Sequence, residues 1–239
     1  MPTARATQDL DLFLNMEIWI EKEKGKAIRT LLDGLDYQVI QGSENWQFGK
    51  LPEPTTQRLQ LKIDLHARAP RPDERVKHDG RRVGQGIGLH GRETTEAFAI
   101  DDRPTLIQVS GRRTDGGQVQ AAVLVPHPYA SLNMKVKAAH DWLRVTRRET
   151  AQRAQSPKHV LDVYLLIAMM LPQEFEECQS LAAQYANHPM AQENRRNASD
   201  LFADPNGRGS IEVQRQIDDL PYDYTTFWDA LRGVLGSGE

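Results

Sequence analysis

The sequence predicts an α+β protein: a mixed β-sheet with flanking helices, followed by a helical second half. Three observations carry this. Short segments with period-two alternation, separated by turn residues, crowd the chain up to Val125. Beyond Pro126-His127-Pro128 the apolar residues instead recur at 3–4 spacing. With 239 residues, the chain is long enough to bury two modest cores. The expected organisation is a sheet domain over 1–126 and a helical domain over 127–239.

Taken in order, residues 5–14 alternate as a strand. Residues 21–34 read as a helix, with Ala27, Ile28, Leu31, Leu32 and Leu35 as its apolar stripe and Gly34 as its stop. Short strands follow at 37–40 and 46–49. Pro52 and Pro54 mark a turn before a stronger strand over 58–66, where Leu59, Leu61, Ile63 and Leu65 define the buried face. Residues 67–92 read as irregular and rich in Arg, Pro and Gly. The run Gly84-Gln85-Gly86-Ile87-Gly88 follows no strong strand and opens no helix, so it reads as a loop or hairpin rather than a dinucleotide fingerprint. Strands are expected at 93–100, 104–110 and 119–125, with a turn at Asp115-Gly116-Gly117, extending the sheet. Helices are expected at 129–145, 158–170, 172–185, 191–202 and 222–235, broken by Gln155-Ser156-Pro157 and Asp204-Pro205-Asn206-Gly207.

Net charge is −3 and the pI about 6.2, so no global basic signature of a nucleic-acid binder exists. A local basic cluster does: Arg68, Arg71, Arg75, Lys77, Arg81 and Arg82. One cysteine, Cys178, excludes an internal disulfide and fits a reducing compartment. The longest apolar run, 163–171, is far shorter than the roughly 20 residues of a membrane span. A cytoplasmic protein with no membrane partner is the expectation.

The candidate chemistry lies in the carboxylates. On a strand, Asp9 and Asp11 share one face and sit roughly 7 Å apart, close enough to grip one divalent cation. Asp64 lies opposite the buried face of the strand at 58–66. Like charges so close repel unless a cation or strong donors offset them. Three carboxylates on neighbouring strands make a hard-oxygen site suited to Mg²⁺ or Mn²⁺. Alone, an Asp-x-Asp in an amphipathic strand is more often a solvated face.

Arg5-Ala6-Thr7-Gln8-Asp9-Leu10-Asp11-Leu12 resembles the R-x-T-x-D-(I/L)-D-(I/L) signature of nucleotidyltransferases of the AbiEii/AbiGii toxin type. Downstream, Leu132-Asn133-Met134-Lys135-Val136-Lys137-Ala138 and Lys158-His159-Val160-Leu161-Asp162-Val163 are similar to that family's L-x-x-K-(L/V)-x-A and K-D-x-x-D-(L/V) helices. His159 stands where the family has its first Asp. The family also carries a strand and a helix with Gly-Gly or Gly-Ser ahead of the Arg, roughly 20–30 residues. Met1 lies just before Arg5, so either the start is truncated or misplaced, or the phosphate cradle has been lost.

The resemblance implies a nucleotidyltransferase-like fold and a Mg²⁺-dependent transfer of NMP from an NTP to a tRNA 3′ end or a protein hydroxyl. Asp9, Asp11 and Asp64 would hold metal, and Lys135 would steady phosphates beside Asp162. Arg5 and Thr7 would shape the approach. The implied role is the toxin of a toxin–antitoxin or phage-defence pair, with a cognate antitoxin as partner. The alternative is a catalytically inactive domain of the same kind acting as a binding or regulatory module.

Overall fold

A computed structural model describes residues 9–43, 45–50, 61–84, 88–112, 116–144, 157–217 and 222–236. The chain is α+β and forms two compact units, Met1–Thr95 and Glu96–Glu239. That division precedes the hairpin at 105–125, whereas the change in sequence character follows it.

The first unit contains β1 (Asp9–Phe13), α1 (Met16–Ile20), α2 (Lys22–Gly34), β2 (Gln38–Val39) and β3 (Gln47–Lys50). It continues with β4 (Leu61–Ala67), β5 (His78–Asp79), β6 (Arg82–Val83) and β7 (Gly91–Glu93). The expected helix is α2. A short α1 precedes it, started by Asn15, whose side chain accepts the Glu17 N–H at 3.0 Å. Strand β4 is the hub of a seven-stranded mixed sheet. It pairs in parallel with β1, antiparallel with β3, and in parallel with β7 at its C-terminal end.

Alternation along β4 sets the two faces. Ile63, Leu65 and Ala67 are buried, while Lys62, Asp64 and His66 are partly exposed. The buried set joins Met16, Trp19, Leu32, Phe48, Val83 and Leu89, with Leu12, Leu14 and Ile28 packed against them. Of the expected helical stripe, Ile28 and Leu32 face this core, but Leu31 and Leu35 stay half-exposed. Gly91 lets β7 lie directly on Trp19, because a Cβ there would meet the indole at 2.7 Å.

Residues 67–84 and 88–92 hold more regular structure than the irregular stretch expected. β5 and β6 form a tight hairpin turning at Gly80, whose φ of +60° favours glycine, and β6 pairs with β7. Arg68 is buried and its Nη1 donates to Glu74 Oε2 at 2.8 Å, so it leaves the basic cluster to become an anchor of this segment. Arg82 pairs with Asp79 at 2.8 Å. Residues 85–87 of the glycine run lie outside the described residues.

The strand expected at 93–100 ends at Glu93. A 3₁₀ turn at Thr95–Ala97 follows, and Ala97, Phe98, Ala99 and Ile100 are all buried rather than alternating. The hairpin of β8 (Thr105–Arg112) and β9 (Gln118–Val125) does not extend the large sheet but forms a separate two-stranded one. Its register puts Ile107, Val109, Val119, Val123 and Val125 on a single face, all exposed. The alternation specified strands without specifying their neighbour.

The helices of the second unit are α3 (Pro128–Arg144), α4 (Pro157–Ala168), α5 (Pro172–Gln184), α6 (Pro189–Phe202), α7 (Arg208–Gln216) and α8 (Tyr224–Leu235). Leu132, Val136, Val160, Val163, Leu181, Leu201, Phe202, Val213, Phe227 and Leu231 are buried on their inner faces. Helix α7 was not expected. Gly209 sits in its first turn because a Cβ would meet Leu201 O at 2.6 Å and the Phe202 ring at 2.7 Å. A residue that reads as a helix breaker therefore allows close helix packing. Cys178 is buried, and burial pushes its thiol up to about 12, so it is no nucleophile. Among the described residues no helix is long and apolar enough to cross a membrane.

Candidate metal centre

Parallel pairing of β1 with β4 places Asp9 opposite Lys62, Asp11 opposite Asp64, and Phe13 opposite His66. Facing residues of paired strands project to the same side, so these six side chains share the face away from the core. Asp11, Asp64 and His66 come together: an oxygen from each carboxylate and a ring nitrogen of His66 all lie within 4.8 Å of one another. Among the described residues this is the one such set that could hold a metal ion.

The two carboxylates at that separation repel by about 3 kcal/mol at an effective dielectric near 20. Asp11 is two-thirds exposed, which reduces the figure. Two neighbouring groups bear on that repulsion. His66 Nε2 stands 3.5 Å from Asp11 Oδ1, and Gln47 Nε2 donates to Asp64 Oδ2 at 3.1 Å. Asp64 Oδ1 is buried and accepts no hydrogen bond. A buried, unsatisfied carboxylate oxygen costs free energy unless something electropositive meets it, and a cation held by this donor set would do so.

The His66 ring is held in place by its neighbours. It stacks on Phe13 with centroids 5.0 Å apart, and its Nδ1 lies 3.0 Å from Thr94 Oγ1. Thr94 is itself tied to β4, its N–H donating to Ala67 O at 2.9 Å. Asp64 and His66 thus each have one polar atom engaged by an outer partner, the pattern expected of ligands oriented by an outer shell.

Asp9, expected among the ligands, stands outside the set of three, with Lys62 Nζ 3.8 Å from its Oδ1. His66 stands in its place. The signal for it was present in the sequence, since Asp64-Leu65-His66 repeats the i, i+2 spacing of Asp9-Leu10-Asp11. Thr94 and Gln47 gave no such signal, because their partners lie on other strands. Arg5 and Thr7 lie outside the described residues.

Lys135 and Asp162 belong to the second unit, where the structure brings them together: Lys135 Nζ donates to Asp162 Oδ2 at 2.9 Å. His159 Nδ1 is 3.7 Å from the same oxygen. Burial alone would raise the Asp162 carboxyl, but His159 and Lys135 outweigh it and hold the group below the usual Asp range. The pair lines an open groove with Ser131, Leu165, Met169 and Glu174.

The chain matches no family model, no curated protein and no solved structure.

Proposed function

We propose that the protein is a divalent-cation-dependent nucleotidyltransferase, moving NMP from an NTP to an RNA or protein hydroxyl as the toxin of a toxin–antitoxin or phage-defence pair. In this reading the first unit has a nucleotidyltransferase-like fold. The observation that carries it is the juxtaposition of Asp11 and Asp64 on adjacent parallel strands, with Asp64 Oδ1 buried and unsatisfied. The motif resemblance running from Arg5 to Asp162 supports the choice of reaction.

Asp11, Asp64 and His66 would hold Mg²⁺ or Mn²⁺, which when bound neutralises charge on the phosphates. Exposed Asp11 opens the site to solvent, and thus to an NTP. The acceptor hydroxyl oxygen bonds to the α-phosphorus as the bond to the pyrophosphate oxygen breaks. The hydroxyl proton passes to Asp64 or to water. Asp9 holds Lys62 on the same face, placing one positive charge beside the phosphates' approach.

The test is label transfer from each α-labelled NTP, with Mg²⁺ or Mn²⁺, to total tRNA or protein. Label should depend on Asp11 and Asp64. Transfer by Asp11→Asn and Asp64→Asn variants at the parental rate would remove the metal centre from the reading. The salt-bridged state of Lys135 favours a second reading, a non-catalytic binding module, which a folded chain that binds NTP without transferring label would support.

A further inference from the structure

We infer that His66 is a metal ligand and that its imidazole makes the centre select Mn²⁺ over Mg²⁺. This rests on the metal-centre part of the proposed function and not on the transfer chemistry. Four observations support it. A ring nitrogen of His66 lies within 4.8 Å of oxygens from both Asp11 and Asp64. Nδ1 is engaged by Thr94 Oγ1 at 3.0 Å, and when Nδ1–H donates to that hydroxyl the Nε2 lone pair is left for a cation. Nε2 is on the Asp11 side of the ring, 3.5 Å from Oδ1. The ring is only 13% exposed and is stacked on Phe13, so its orientation is held before any ion arrives.

The ion class follows from the donors. Mg²⁺ prefers oxygen ligands and retains its waters, so a site of two carboxylates and one imidazole gives it little from the third ligand. Mn²⁺ accepts carboxylate oxygen readily and stands above Mg²⁺ in its affinity for nitrogen. The neutral imidazole also adds a ligand without adding a third negative charge beside Asp11 and Asp64.

Manganese itself is the probe. Metal-free protein is titrated with Mn²⁺ and the free-ion EPR signal recorded, with Mg²⁺ as competitor and no nucleotide present. One tightly bound Mn²⁺ per chain is expected, displaced by Mg²⁺ only at about 10-fold or greater excess. In pulsed EPR, ¹⁴N modulation from a coordinated imidazole should be present, and should change to the ¹⁵N pattern in histidine-labelled protein. His66→Ala should abolish that modulation, weaken Mn²⁺ about 10-fold or more, and leave Mg²⁺ affinity within about 2-fold. Thr94→Val, which keeps the ring and removes only its outer partner, should weaken Mn²⁺ about 10-fold and guards against a folding defect in His66→Ala. Absence of Mn²⁺ binding, absence of nitrogen modulation, or equal loss of both ions in His66→Ala would each overturn the inference. Bound Mn²⁺ with nitrogen modulation but no label transfer would uphold it while removing the nucleotidyltransferase reading.

Discussion

Asp64 in the sheet and Asp162 in the helical unit are both partly buried aspartates, yet their surroundings are opposite. Asp162 has a lysine at 2.9 Å and a histidine at 3.7 Å, and its carboxyl is held below the usual range. Asp64 has a second carboxylate opposite it, one amide donor, and an oxygen with no partner. The first arrangement is complete within the chain. The second leaves an acceptor oxygen that a cation could meet, which makes Asp64 the better candidate for function and Asp162 the better candidate for stability.

Substitutions can break this contrast. The largest effect is expected from Asp64→Asn, which keeps an acceptor for Gln47 but removes the charge. Mn²⁺ affinity should fall about 100-fold or more, while the metal-free protein should melt no lower than the parent because a repulsion has gone. Calorimetric titration and thermal melts check the two halves separately. Next comes Glu74→Gln, which leaves Arg68 buried without its counter-charge and should cost about 2–3 kcal/mol in denaturant melts, with metal binding retained. Arg68 holds the Glu74 carboxyl at about 2, against the opposing effect of burial. A lowered folded-state value means that this stability is present above the ordinary Glu range and is lost as pH falls from about 4.5 toward about 2. The Gln variant should lack that acid-sensitive component.

Asp162→Asn should cost about 1 kcal/mol, less than a fully buried pair because Lys135 is over a third exposed. It should leave Mn²⁺ affinity unchanged. Since the Asp162 carboxyl is also held low, its contribution is present above the ordinary Asp value and fades as pH falls below about 3.8. The smallest effect belongs to Lys62→Met, which removes one cation from the site face. Mn²⁺ affinity should rise by about 2-fold, and a fall would place Lys62 in a supporting role that the contrast does not assign it.

Much of this contrast was legible in the sequence. Alternation in Asp9–Leu14 and Leu61–His66 placed the acids opposite the core, and β1 and β4 bear this out at Leu12, Leu14, Ile63 and Leu65. The resemblance set Lys135 beside Asp162 as a phosphate contact, and the structure has the two paired with each other. The register of β1 on β4 was not, because it depends on strands distant in sequence, and so Asp9 could not be told from Asp11 as the partner of Asp64. His66 carries no carboxylate, and the resemblance points only to aspartates as metal ligands. Helix α7 gave little local signal, since Gly209 in its first turn serves a close contact with Leu201 and Phe202 rather than the helix itself. At β8 and β9 the apolar alternation was real, but period alone does not say which sheet a strand joins.

The most direct measurement is an anomalous-difference map from crystals grown with Mn²⁺ and no nucleotide. The account predicts one strong peak bounded by Asp11, Asp64 and His66, absent in Asp64→Asn. A map with no peak there, or with the ion held by Asp9 and not by His66, would contradict it.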